Sequence, residues 1–208
     1  MKLPFFIFLS CFAATVCSAQ VGTPVRQAAV AETKEEVADA PYTRFDSSIY
    51  YTDTIIRWMS FEEALASQKQ NPKKIYVDIY ATWCRWCRMT DSVVLKNREI
   101  AHYINQNYYA VKFNAETRTP VKFRDKNYVF IKDENVFAHE LTVYLLNNKL
   151  SFPGTVFLDE TGNIINSRNG YMEPDYFEVV LNYYGCNAYK HVSFFNYEFD
   201  FEGKVITE

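Results

Sequence analysis

The chain has 208 residues, 22 basic and 25 acidic side chains and a formal net charge of −3. It is long enough for one ordinary domain with tails, and it lacks the basic excess expected of a nucleic-acid binder. With 49% hydrophobic and 23% charged residues it has the means to bury a core, which excludes disorder throughout.

Lys2, the 14 mostly apolar residues 3–16 and the small residues Cys17-Ser18-Ala19 read as a cleaved secretory signal, residues 1–19. The run is shorter than the roughly 20 residues a membrane-spanning helix needs. Lipid attachment at Cys11 or Cys17 is the second option. Val16 before Cys17 and the short run before Cys11 argue against it. No other stretch is apolar enough to span a bilayer. Residues 20–48 show no sustained period and read as a flexible tether. One domain is expected over 49–186, followed by an aromatic and charged C-terminal extension over 187–208.

Ser60-Phe61-Glu62-Glu63 is a capping box, so a helix starts at Ser60 and stops at Asn71-Pro72. The run IYVDIY at 75–80 is apolar apart from one acid, the pattern of a central strand covered on both faces. A second helix is predicted from Cys84 to about Lys96, a third short one is capped by Asn97, and a strand follows over 108–114. Segments 121–124 and 128–131 flank a turn at Asp125-Lys126-Asn127. Residues 135–146 read as a helix with Val136, Leu141, Tyr144 and Leu145 inward. A hairpin over 155–167 turns at Asp159-Glu160-Thr161-Gly162, and a last helix over 173–184 opens with Pro174. This order predicts an α/β layered domain. The 17% aromatic content suits rings packed across its sheet.

Cleavage after residue 19 would leave Cys84, Cys87 and Cys186, too few for a disulfide framework. Cys84 and Cys87 stand three apart at a helix start, on the same side of the first turn, where their sulfurs can bond with little rearrangement. Unpaired N–H groups and the helix dipole favour a thiolate at Cys84, and Arg85 and Arg88 add positive charge. Cys84 then reads as the nucleophile, and Cys87, one turn further in and more shielded, as the resolving thiol. Other readings stay open. A zinc site would have to draw on Cys186, His102, His139 and His191, none of which forms a second close pair. A static bridge would close too small a loop to stabilise much, and Arg88 stands where c-type haem attachment needs histidine.

The segment from Asp78 to Cys87 (DIYATWCRWC) resembles the strand, acid, Trp-Cys-x-x-Cys and helix of the thioredoxin superfamily, with the acid six residues before the first cysteine. Phe152 to Leu158 (FPGTVFL) resembles the proline loop of that superfamily entering a strand. The likeness covers about 58–185 and is nearest to exported bacterial thioredoxin-like proteins. It implies a thioredoxin-like fold, a central mixed sheet flanked by helices, with an inserted β-hairpin before the proline loop. It also implies an exported, periplasmic or otherwise extracytoplasmic, thiol–disulfide oxidoreductase acting through the Cys84–Cys87 disulfide, with no metal and no further cofactor. Its partners would be cysteine-containing exported proteins and a thiol electron donor or acceptor in the membrane or periplasm.

In that reading Asp78, desolvated in its strand, moves the proton of Cys87. Lys112 modulates the acid, or else is simply a solvated strand lysine. Arg85 tunes the thiolate. Trp83, Trp86, Phe152 and a cis Pro153 bind the client, with Phe152 offering its backbone for strand addition. Arg-Trp between the cysteines, in place of the Gly-Pro of reducing members, points toward an oxidant or isomerase. Gly154 between the proline and the threonine departs from the family pattern. Two rivals remain, a non-catalytic module that holds clients by its Trp-rich rim and a metallochaperone carrying a soft metal on the two thiols.

Overall fold

The computed structural model describes residues 55–133 and 136–203. The predicted signal, the tether and the predicted helix start at Asn135 lie outside the described residues. In chain order the first elements are β1 (Trp58–Met59), α1 (Phe61–Gln70), β2 (Lys74–Tyr80) and α2 (Arg85–Met89), which runs on through a π-helical turn (Thr90–Val94). α3 (Arg98–Asn107), β3 (Tyr108–Asn114), β4 (Val121–Phe123), β5 (Lys126–Tyr128), β6 (Phe130–Lys132) and β7 (Phe137–His139) follow. α4 (Glu140–Leu145), β8 (Gly154–Leu158), β9 (Ile164–Asn169), α5 (Pro174–Gly185), a 3-10 turn (Ala188–Lys190) and α6 (Phe194–Phe199) complete the order.

The capping box forms as the spacing predicts. The Glu63 N–H donates to Ser60 Oγ at 3.1 Å, and the Ser60 N–H donates to Glu63 Oε2 at 2.8 Å. Asn97 likewise caps α3, its Oδ1 accepting from the N–H groups of Glu99 and Ile100.

Five strands form a mixed sheet in the order β1-β3-β2-β8-β9, in which β1, β3 and β2 are parallel and β8 is antiparallel to both of its neighbours, β2 and β9. Side chains alternate across β2, so the sheet has a core layer on each face. Ile75, Val77 and Ile79 pack with Phe61, Leu141 and Leu145 on one face; Tyr76 packs with Ile100, Ile104, Phe157 and Phe177 on the other. By the same alternation Asp78 and Tyr80 share the face of Tyr76. The result is a thioredoxin-like fold, a central mixed sheet flanked by helices.

Three expectations need correction. The insertion before the proline loop is two hairpins rather than one. The first pairs Val121 with Tyr128 and Phe123 with Lys126, so its turn is Arg124-Asp125, with Arg124 at a positive φ of 56°. The second pairs β6 with β7, which turns Phe137-Ala138-His139 from predicted helix into strand. α4 begins only at Glu140, where the His139 ring caps it, Nδ1 accepting from the Leu141 N–H at 3.2 Å. Leu141 and Leu145 face the core as expected, but Tyr144 is exposed and leans on Tyr128 instead.

Beyond α5 the chain folds back. Tyr183 meets Phe194 and Tyr197 at ring-centroid distances of 5.1 and 5.2 Å. No helix among the described residues is long and apolar enough to cross a membrane.

Candidate active site

The chain leaves the C-terminal end of β2 at Tyr80 and enters α2 through 81–84. Glu116, just beyond β3, fixes this link. Its Oε2 accepts from the Thr82 N–H at 2.7 Å and from Thr82 Oγ1 at 2.6 Å, and these bonds hold its carboxyl below the usual glutamate range. Arg88 Nη1 donates to the Thr82 carbonyl at 3.4 Å.

Cys84 is the N-cap of α2, in extended backbone geometry (φ −73°, ψ 108°). It is joined to Cys87 by a disulfide with a Cα–Cα separation of 5.3 Å. The Cys87 N–H donates to Cys84 Sγ at 3.0 Å, so a backbone donor already points at the sulfur that would carry negative charge after reduction. Tyr80 and Phe152 pack against the cluster of Ala81 and both cysteines. Cys84 is 3% and Cys87 4% exposed, so the expected difference in shielding is absent in the disulfide form. Arg85 is exposed on the outer side of the turn.

Asp78 is 2% exposed, and its Oδ2 accepts from Lys112 Nζ at 2.7 Å across the β2–β3 pairing, where the two residues are register partners. The same ammonium donates to Asp91 Oδ1 from the π-helical turn. It also lies 5.2 Å from the ring centroids of both Trp58 and Tyr80. Burial pushes the Asp78 carboxyl above the usual aspartate range; Lys112 only partly offsets that, and Asp91 adds to it. Burial works against the Lys112 ammonium, but the two carboxylates outweigh it and hold the lysine above its ordinary value. Lys112 is therefore an ion-paired lysine, and the solvated alternative is set aside.

Two aromatic pairs flank the disulfide. The Phe152–Pro153 bond is cis, Pro153 is buried, and the Phe152 ring meets Trp83 edge-on at 5.8 Å. On the other side Trp86 leans on Tyr171 at 5.4 Å. Trp83 is 68% and Trp86 56% exposed, large apolar surfaces left open to solvent beside the sulfurs.

The remaining candidates lie apart from this cluster. His139 is fully buried; with Nδ1 accepting from Leu141, its Nε2 carries the proton and donates to the Thr119 carbonyl at 3.2 Å. Burial keeps that ring below the ordinary histidine value. His102 and His191 are exposed on separate elements, and Cys186 is half-buried, 3.7 Å from the Tyr197 hydroxyl. No group of three or more His, Cys, Asp or Glu among the described residues is placed to hold a metal ion.

Asp91, Trp58, Glu116 and Tyr171 were missed by sequence reasoning. Only Asp91 had a local signal, lying four residues after Cys87, one turn along the same helical face. The others reach the site through sheet pairing or loop packing that no local spacing reveals.

Residues 61–185 match the family described as thioredoxin-like domain. Among curated proteins, spermatogenesis-associated protein 20 of Rattus norvegicus is 32% identical over 68 residues, which are 33% of this chain and 8% of that protein. The chain thus spans under a tenth of the length of that relative. Among solved structures, one described as DsbH oxidoreductase is 20% identical with a TM-score of 0.45, covering 74% of this chain and 95% of that one. A thioredoxin-fold protein from Helicobacter pylori is 22% identical with a TM-score of 0.49, covering 74% and 96%.

Proposed function

Because this chain belongs to the thioredoxin-like domain family, we propose that it is an exported thiol–disulfide oxidoreductase that exchanges disulfides with cysteine-containing exported proteins. The observation that carries the reading is the Cys84 sulfur at the cap of α2 with the Cys87 N–H aimed at it. That donor stabilises a thiolate more than a neutral thiol, and so activates Cys84 once the bridge is reduced.

In the reducing direction the Cys84 thiolate attacks one sulfur of a client disulfide. The client S–S bond breaks, a Cys84–client bond forms, and the other client sulfur leaves as a thiolate. Cys87 then gives its proton to Asp78 and attacks the Cys84 sulfur. The internal disulfide re-forms, the second client thiolate departs, and two electrons have passed to the client. A thiol donor in the membrane or periplasm must return those two electrons before another round. Oxidation of a client dithiol runs the same steps backward.

A carboxyl raised by burial suits this proton transfer, since it takes up a proton more readily than an ordinary aspartate does. Trp83 with Phe152, and Trp86 with Tyr171, would grip the apolar flanks of a flexible client segment. Phe152, next to the cis proline, would pair its backbone with that segment. Export rests on the character of residues 1–19. The rival reading as a client-holding module draws on the same exposed tryptophans. Insulin reduction driven by dithiothreitol separates the two. Cys84→Ser should bring the rate down to that of dithiothreitol alone, and a variant as active as wild type would leave only the holding role.

A further inference from the structure

Lys112 presents one positive charge to two carboxylates on different elements, Asp78 on β2 and Asp91 on the π-helical turn. The ammonium is held there from two more sides by the rings of Trp58 and Tyr80. Asp78 is 2% exposed and depends on the protein for compensation, whereas the Asp91 side chain is 43% exposed and keeps contact with water. Asp91 stands one turn beyond Cys87, on the helix that also carries the disulfide. The acid of the sheet and the helix of the cysteines are thus tied through one lysine.

We propose that Asp91 is a positioning residue, which draws the Lys112 ammonium partly off Asp78 so that the buried acid never has a counter-ion to itself. With undivided access to Lys112, Asp78 would be locked as a salt-bridged carboxylate, a poor place to deposit the Cys87 proton. With no lysine at all, it would be a buried acid that gives up its proton only with difficulty. Sharing the ammonium leaves it between these limits.

The charged and titratable groups around Asp78 are few. Lys112 faces it from β3, Asp91 from the π-helical turn and the fully buried Tyr76 from β2 itself. β1 contributes the Trp58 ring and β8 the neutral register partner Thr155. Cys84 and Cys87 are bonded to each other and do not titrate in this state. The sign of each substitution follows. Asp91→Asn removes a like charge and frees Lys112 for Asp78, and both effects favour the ionised acid. Lys112→Met removes the cation paired with Asp78 and favours the protonated acid.

The consequence for catalysis rests on the oxidoreductase reading, but the test does not. In the oxidised full chain, the Asp78 carboxyl carbon is followed by NMR against pH. Asp91→Asn should move its midpoint about one pH unit down and Lys112→Met about one unit up, while Asp91→Glu should restore the wild-type curve. An unmoved or raised midpoint in Asp91→Asn, in protein whose melting temperature matches wild type, overturns the proposal. So does Asp91→Glu behaving like Asp91→Asn. Because nothing turns over in this experiment, a protein inactive toward insulin could still show the opposed shifts. An active one could fail to show them, so the two readings stand or fall separately.

Discussion

Asp78 is a carboxyl with a lysine at 2.7 Å, yet its affinity for a proton is raised, because desolvation outweighs the pair. The folded state therefore holds the Asp78 proton to a higher pH than the unfolded chain does. Stability falls as pH climbs from the ordinary aspartate value through the folded one, and the loss is complete above both. Lys112 follows the same sign in a far more alkaline window: its raised value contributes stability that is fully present below the ordinary lysine value and lost as pH rises through the folded one.

Asp78→Asn should accordingly raise the melting temperature at pH 8, where Lys112 keeps Asp91 as a partner. The gain should vanish in acid, where wild-type Asp78 is itself protonated. A variant less stable than wild type at pH 8 would mean that the lysine pair outweighs desolvation after all. The same variant should release a client from a trapped mixed disulfide about 100-fold more slowly at pH 7, as loss of a general base does. Cys84 and Cys87 were legible from their spacing at a helix start, whereas Asp78 and Lys112 entered only through the family resemblance of the strand–turn–helix unit and the next strand. Asp91 had a local signal in its spacing from Cys87, but its pairing with Lys112 did not: no local pattern joins the lysine of one strand to a carboxylate on the helix after another.

At the scale of elements, local rules succeeded where the determinants are local. The Ser60 box, the Asn97 cap, Asn71 after α1 and Pro174 at the start of α5 each mark a boundary through a group within four residues. The insertion misled because Phe137-Ala138-His139 is apolar enough for either state, and its strand partner Phe130-Ile131-Lys132 decides the matter from outside any helical window.

Gly154, which departs from the resembled pattern, has a packing reason. A Cβ there would stand 2.8 and 3.0 Å from the Leu146 methyl carbons, at the point where the proline loop becomes β8. Gly154→Ala should therefore cost about 1–3 kcal/mol in denaturant unfolding, as overpacking does. It should also slow insulin reduction by displacing Phe152. Full stability in that variant would mean that Leu146 has room to move.

Over the molecule as a whole, the arrangement serves to bring one helix start, one buried acid and one aromatic rim to the C-terminal end of a central strand. The sheet supplies the rigidity, with β2 held between β3 and β8 and covered on both faces. The C-terminal segment was opaque in sequence, since its aromatic residues lack a period. Tyr183 explains them: Tyr189, Phe194 and Tyr197 gather on its ring, extending the core layer beyond α5.

All of this matters to function only if the Cys84 sulfur, once reduced, carries charge at neutral pH. The direct measurement is the rate of iodoacetamide alkylation of Cys84 in the reduced protein as a function of pH, read by mass spectrometry. With a thiol held below the ordinary cysteine range, the rate falls much less between pH 8 and pH 6 than it does for an unstructured cysteine. A drop of about eighty-fold, the behaviour of an ordinary cysteine near 8.5, would contradict the account.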